Sequence, residues 1–209
     1  RILFDRVKKI AEGAALMTET KVEIEVDRAT SNVLPNTALG KVMDGVMREL
    51  GAPDFDAADI AFAEKLTRAA ITEADIAAGV NSFGVTPRAG EYLHGDIAPF
   101  GSDADRLSGS TDVGDVSWVT PTVQCWTATC VVGTPFHTWQ MVTQGKQPAA
   151  HKAMLLAAKT RAGTAAALMR DPETVRKAKD ELHERRGRKP YVSPMPKEIS
   201  PPKGSLRGR

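Results

Sequence analysis

The chain of 209 residues carries 28 Lys and Arg against 26 Asp and Glu, a net charge of +2, and 42% of its residues are hydrophobic. This composition suits one domain, or one and a part, with a real core, and it excludes collagen-like and wholly disordered chains. The small net charge gives no global attraction to nucleic acid, and no run approaches the roughly 18 apolar residues that span a bilayer. We therefore expect a cytoplasmic protein without nucleic-acid or membrane partners. Because the sequence starts at Arg1 and opens on a helical pattern, we also expect a fragment.

The first 30 residues predict one helix and one strand. Apolar residues recur at intervals of three and four over residues 3–17, which places them on one face of a helix. Lys21 to Val26 then alternates charged and apolar residues, as in a half-buried strand. One helix and one strand cannot bury a core, so we expect their packing partners elsewhere.

Five further helices are predicted from apolar residues at helical spacing. Each begins at a side chain that can cap a helix or at a proline suited to the first turn. Their expected starting points are Asn36 or Thr37, Asp56, Thr72, Pro148 and Asp171.

Two segments between these helices have other patterns. Residues 81–110 are rich in Gly, Pro, Ser and Asp and predict a long loop. Residues 116–132 are β-branched and aromatic and predict one long strand, or two short ones bent near Pro121, before a turn at residues 133–135. Helices combined with strands predict an α/β fold.

The two cysteines lie inside this predicted strand. Cys125 and Cys130 would then be on opposite faces and roughly 16 Å apart, against the roughly 5.5 Å between the Cα atoms of a disulfide. We expect two reduced, buried thiols.

Of the four histidines, His137 is the main candidate for chemistry. It follows the predicted strand in a short turn that can hold an imidazole at a fixed angle for metal binding, although a packed surface histidine has the same pattern. His94 and Asp96 form an H-x-D pair that resembles a ligand motif of dinuclear metallohydrolases, but so short a motif recurs by chance. His151 and His183 are expected to have no chemical role.

A second dense group of polar residues is the segment GSTDVGDVS, residues 109–117. Ser110, Thr111, Asp112 and Asp115 could contact a substrate or orient a metal-binding histidine through hydrogen bonds. The alternative is a simple Asx-turn that starts a strand. A serine nucleophile is disfavoured because the Gly-x-Ser-x-Gly motif is absent.

Four motifs occur in a defined order along the chain: GSTDVGDVSW (residues 109–118), GTP-x-H-x-WQ (133–140), AHK-x-M (150–154) and KPYV (189–192). This series resembles the C-terminal half of the aminobenzoyl-glutamate utilization protein B-like amidohydrolases, a family of the aminoacylase and carboxypeptidase type. Residues 6–17, 21–27 and 31–36 resemble the end of that family's lid domain. The resemblance covers nearly the whole chain.

The resemblance implies a zinc-peptidase-like α/β catalytic domain and a ferredoxin-like lid. Residues 1–30 would be the remnant of the lid, residues 31–187 the C-terminal part of the catalytic domain, and residues 188–209 a Pro-rich basic tail. It also implies a homodimer through the lid, and the possibility of a second, related subunit.

The resemblance further implies two divalent ions, zinc or manganese, and a Glu that acts as general base on metal-bound water. His137 matches the last metal ligand of the family. The other ligands and the base precede the lid, so no catalytic residue is expected in this chain, and the H-x-D pair at His94 is accidental. Phe136 stands where the family more often has Gly, which affects the backbone beside His137.

The leading interpretation is a fragment of a metal-dependent amidohydrolase that cleaves an amide-linked acyl amino acid such as aminobenzoyl-glutamate. The fragment alone is expected to be inactive. One alternative is a non-catalytic binding or dimerisation module of the same fold. Another alternative is that the basic tail from Arg185 to Arg209 binds nucleic acid. The tail has no aromatic residue other than Tyr191 to stack on bases, which argues against this alternative.

Overall fold

The computed structural model describes residues 2–101 and 109–199, and the regular structure within these ranges is helical. The helices are α1 (Ile2–Met17), α2 (Thr37–Leu50), α3 (Ala57–Ala70), α4 (Glu73–Phe83), α5 (Val113–Val119), α6 (Trp139–Gln144), α7 (Pro148–Arg170) and α8 (Pro172–Arg185). No β-strand occurs in the described ranges, so the predicted α/β fold is wrong. The described residues form two compact units, one from residues 2–31 and 192–199 and one from residues 32–101 and 109–191.

The first unit contains α1, which confirms the helix predicted over residues 3–17. No residue of α1 is buried, and large apolar side chains such as Leu3 and Ile10 are more than two-thirds exposed, at 76% and 70%. The strand predicted from Lys21 to Val26 is wrong, because this segment has no regular structure. An alternating pattern makes a strand only where a second segment pairs with its backbone, and none of the described residues does so.

In the second unit, α2 packs against α7 and α8. The contact with α7 depends on Gly163, where an added Cβ would come within 2.7 Å of Cγ1 of Val46. A glycine at this point therefore allows the two helices to approach closely.

The start of α2 is fixed by two side chains, one from the residue before the helix and one from α8. Asn36 caps α2 by accepting a hydrogen bond from the Leu39 N–H, and its amide donates to the carbonyl of Ala178 in α8 at 2.8 Å. The Glu181 carboxylate accepts from the backbone N–H groups of Thr37 and Ala38 at 2.8 and 2.9 Å. A carboxylate is favourable here because the first N–H groups of a helix lack intrahelical partners.

The predicted caps of the following helices are confirmed. Asp56 begins α3 and Thr72 begins α4, each in a capping box with the residue three positions later. Lys152 of α7 donates to the carboxylates of Asp56 and the buried Asp59, at 2.8 and 2.6 Å. This ion pair links α3 to α7 beside a small apolar core. The buried members of that core are Ala63, Leu66, Leu93, Val131 and Ala149.

The strands predicted over residues 116–132 are also wrong. Residues 113–119 form α5, and residues 120–130 contain neither helix nor strand. Asp112 is the cap position of α5, and Thr111 closes the turn before it, because its hydroxyl accepts from the Val113 N–H and its carbonyl accepts from the Gly114 N–H. Strand propensity depends on neighbouring strands, and the described chain supplies none here.

No helix among the described residues has the length and apolar character needed to cross a membrane. The part of the predicted loop at residues 102–108 and the part of the predicted tail at residues 200–209 lie outside the described ranges.

Candidate functional site

The turn that leads to His137 is held by a buried glutamine. Gln144 of α6 is 3% exposed, and its side-chain oxygen accepts from the N–H of the buried Val131 at 2.6 Å. Its amide nitrogen donates to the Thr134 hydroxyl and to the Gln140 carbonyl, both at 3.0 Å. Both polar ends of this side chain are therefore used to fix the turn from residue 131 to residue 134.

The same turn lies directly on α4. Gly133 has a φ of +84°, and a Cβ added to it would come within 2.8 Å of the Ile76 backbone. From the other side, a Cβ on Gly79 would lie 3.2 Å from the Gly133 Cα. Only glycine combines this backbone angle with so close a contact, so the glycine of the GTP motif is required by packing.

His137 itself has a φ of +60° and an exposed side chain. Left-handed backbone is uncommon for residues other than glycine, and His is among the types enriched there. The imidazole has no hydrogen bond or ion pair with the described residues. It is therefore available to a ligand, but its role in binding a metal stays a prediction.

Three aromatic rings meet beside this turn, and we call Phe83, Trp126 and Phe136 the aromatic cluster. Trp126 and Phe136 are nearly parallel, with 16° between their planes and 6.1 Å between centroids. Both meet the ring of Phe83 edge to face, at 5.4 and 5.7 Å. No sequence pattern predicts this cluster, because its members come from three separate segments.

The aromatic cluster forms part of a groove of 770 Å³ within the second unit. This volume lies in the range of about 300–1,000 Å³ that small-molecule sites occupy. Most of the lining is apolar, from α2, residues 94–101 and residues 122–134. Phe136 lines the groove, whereas His137 and residues 110–115 are not part of the lining.

The predicted polar group at residues 110–115 surrounds the start of α5. Ser110 and Asp112 are exposed, and Thr111 serves the turn that begins the helix. Asp115 accepts a hydrogen bond from the Tyr191 hydroxyl of the KPYV motif. No contact among the described residues joins this group to His137, and its predicted role toward a substrate or a metal ligand stays a prediction.

The residues that follow have a structural role. The fully buried Ser117 hydroxyl donates to the Gly114 carbonyl and accepts from the Leu34 N–H, at 2.6 and 2.8 Å. The indole of Trp118 donates to the Asn32 carbonyl at 2.9 Å. The GSTDVGDVSW motif thus connects the segment before α2 to Tyr191, beyond α8.

The two cysteines line the groove and are free, which confirms the prediction of reduced thiols. Both side chains are only partly buried, although buried thiols were predicted. The predicted strand, from which their separation was estimated, is absent. Burial raises the pKa of both thiols, Cys125 and Cys130, so they stay protonated at neutral pH.

Of the other histidines, His94 lines the same groove as residues 131–134. Nδ1 of His94 is 3.2 Å from the Glu91 carboxylate, and neither ring nitrogen makes a hydrogen bond within the described ranges. Asp96 pairs with Arg88. His151 is exposed near the start of α7.

A metal centre cannot be assembled from the described residues alone. Within residues 2–101 and 109–199, no three His, Cys, Asp or Glu side chains converge in a way that could hold an ion. His137 offers one nitrogen donor, so the donor set of the described residues is incomplete for a dinuclear centre.

Comparison with known proteins confirms the predicted resemblance. The chain is 40% identical over 211 aligned positions to a protein of Escherichia coli (strain K12) that is named as one of the subunits of p-aminobenzoyl-glutamate hydrolase. The alignment covers 95% of this chain but 43% of that relative, so the chain spans less than half of the relative's length, as expected of a fragment. No protein-family model matches the sequence. No solved structure matches it either.

Proposed function

We propose that this chain is part of an amidohydrolase that cleaves p-aminobenzoyl-glutamate or a similar amide-linked acyl amino acid. The observation that carries the proposal is the 40% identity over 95% of the chain to a hydrolase subunit whose name gives that substrate. The exposed imidazole of His137, on a turn fixed by packing and hydrogen bonds, supports it.

We propose that His137 supplies one ligand of a dinuclear zinc or manganese centre. The remaining ligands and the general base would come from the part of the full-length protein that has no counterpart here. If bound, such a centre would supply Lewis-acid chemistry for amide hydrolysis. The contribution of this chain is positional: the Gln144 hydrogen bonds and the Gly133 contact hold the turn that carries His137.

We assign substrate contact, or hydrogen bonds to metal ligands, to the side chains Ser110, Thr111 and Asp112. Asp115 would support them from within α5, where the Tyr191 hydroxyl holds its carboxylate. Hydrogen-bonded carboxylates of this kind orient the residues around a metal site.

We also propose a partner subunit, since the relative is named as one subunit of a hydrolase. A homodimer through residues 1–30 is proposed in addition. The exposed apolar side chains of α1 support a contact at this end of the chain, because large apolar patches mark interaction surfaces.

The test is the release of glutamate from p-aminobenzoyl-glutamate, with bound metal measured by elemental analysis. The 209-residue chain alone is expected to release none. A full-length protein that contains this chain is expected to release glutamate and to hold two divalent ions in each subunit. A full-length protein that binds no metal and releases no glutamate would support a non-catalytic binding module instead.

Within that protein, we expect His137→Gly to lower metal content and kcat together. Glycine is chosen because it keeps the left-handed backbone of residue 137 without strain, whereas alanine does not. His94→Ala and His183→Ala are the controls and should leave metal content unchanged. If His94→Ala loses the metal and His137→Gly keeps it, the assignment of His137 is wrong.

A further inference from the structure

The aromatic cluster leaves much of its surface open. Trp126 is 59% exposed and Phe136 is 41% exposed, although both pack edge to face on Phe83. Their ring faces therefore border the groove with an apolar area that the described residues do not cover. Aromatic rings bind other rings by offset stacking or edge-to-face contact.

The cluster is also held in place before any ligand arrives. Phe83 ends α4 and Phe136 follows the turn at Gly133, and these two elements touch backbone to backbone through Gly79 and Gly133. Because the separation of α4 and the turn is fixed, so is the position of the two phenylalanine rings. A preformed apolar surface costs little conformational entropy when a ligand binds.

We propose that the aromatic cluster binds the aryl ring of the substrate's acyl group and so determines which acyl amino acids are accepted. This inference rests on the proposed function, in which the acyl group is a p-aminobenzoyl ring. Trp126 and Phe136 supply the ring faces, and Phe83 supports both. The apolar lining of the groove fits an uncharged ring and disfavours a small polar acyl group.

The position of the cluster in the chain supports this assignment. Phe136 directly precedes His137, so their Cα atoms are about 3.8 Å apart. His137 is not part of the groove lining, but a ring that stacks on Phe136 binds within one residue of the proposed metal ligand.

The first experiment uses the 209-residue chain and saturation-transfer NMR, which needs neither metal nor turnover. The probes are p-aminobenzoate, p-aminobenzoyl-glutamate and N-acetylglutamate. We expect the aryl protons of the first two probes to receive the strongest saturation, and N-acetylglutamate to show little.

Matched variants locate the binding surface. Trp126→Leu and Phe136→Leu keep an apolar side chain but remove a ring, and each should weaken p-aminobenzoate binding by about 2- to 12-fold. Trp139→Leu is the control, because Trp139 is 62% exposed on α6 and does not line the groove. If both cluster variants bind like the wild type, or if Trp139→Leu has the same effect as they do, the proposal is overturned.

The second experiment separates this proposal from the proposed function. In the full-length protein, Trp126→Leu should lower the ratio of kcat/KM for p-aminobenzoyl-glutamate to that for N-acetylglutamate. An unchanged ratio in an active enzyme means that the aromatic cluster does not contact the acyl group. This result overturns the aryl site but leaves the proposed hydrolase function standing. Aryl binding that depends on Trp126 in a protein without hydrolase activity supports the site and refutes the function.

Discussion

Replacing Asn36 should destabilise the second unit more than the loss of a helix cap alone. Asn36 is 6% exposed and uses both ends of its amide: the oxygen accepts from the Leu39 N–H, and the nitrogen donates to the Ala178 carbonyl. In Asn36→Ala both partners lose their hydrogen bond inside the protein, where water does not replace it.

The magnitude follows from these two contacts. Loss of an N-cap costs about 1 kcal/mol. The Ala178 carbonyl lies inside α8 and keeps its intrahelical hydrogen bond, so loss of the Asn36 donor costs about 0.5–1.5 kcal/mol. The sum is about 1.5–2.5 kcal/mol, and at about 2–4 °C per kcal/mol for a chain of this size the melting temperature should fall by about 3–10 °C.

Thermal and urea unfolding, followed by circular dichroism, measure this loss. Asn36→Ser keeps an oxygen for the cap but cannot donate to Ala178, so it should lose only the carbonyl part. Asn32→Ala is the control, because the exposed amide of Asn32 donates only to the neighbouring Val33 carbonyl. The reasoning is refuted if Asn36→Ala melts at nearly the temperature of the control, or if Asn36→Ser is as unstable as Asn36→Ala.

Three further predictions concern the helix start at Glu181 and the turn before His137. Partial burial would raise the pKa of Glu181, but the N–H groups of α2 lower it overall, below its ordinary 4.5. Its stabilising effect is therefore present above pH 4.5 and lost as the pH falls below it, and Glu181→Gln should flatten the acid limb of a plot of stability against pH. Gly133→Ala should destabilise by several kcal/mol, about 3 or more, since it adds left-handed strain to a clash with the Ile76 backbone; normal melting would contradict this. Gln144→Leu leaves the Val131 N–H without its acceptor and should lower stability by about 1–3 kcal/mol in urea unfolding, an effect that a wild-type midpoint would disprove.

The helices with clear local signals could be predicted from the sequence. Asn36, Asp56, Thr72 and Asp171 are recognisable as caps, and each accepts a backbone N–H at its helix start. These signals work because a cap acts within three residues, so distant parts of the chain do not alter it.

The strand predictions are wrong because strand formation depends on distant segments. Residues 116–119 are as β-branched and aromatic as a strand, but the turn at Thr111 and the buried Ser117 hydroxyl place them in α5. The short helix α6 has no clear sequence signal either, since its six residues carry no cap hydrogen bond from a side chain. Such tertiary contacts cannot be predicted from a local sequence pattern.

The candidate site was predictable only in part. His137 is found through its motif, and its exposed imidazole is compatible with the predicted role. Phe83 and Trp126 could not be found, because nothing in the sequence shows that residues so far apart meet. The buried Gln144 could not be found either, since a single glutamine gives no pattern that distinguishes it from a surface residue.

The contact between Asn36 and Ala178 has a consequence for biosynthesis. The two residues are 142 positions apart, so at about 5–20 residues per second the ribosome needs about 7–28 s to synthesise the intervening chain. During that interval α2 lacks Glu181 at its start and has no α8 to pack against, and it carries Leu39 and Met43, which are buried in the folded protein. The nascent chain therefore offers a chaperone an exposed helix face until α8 emerges.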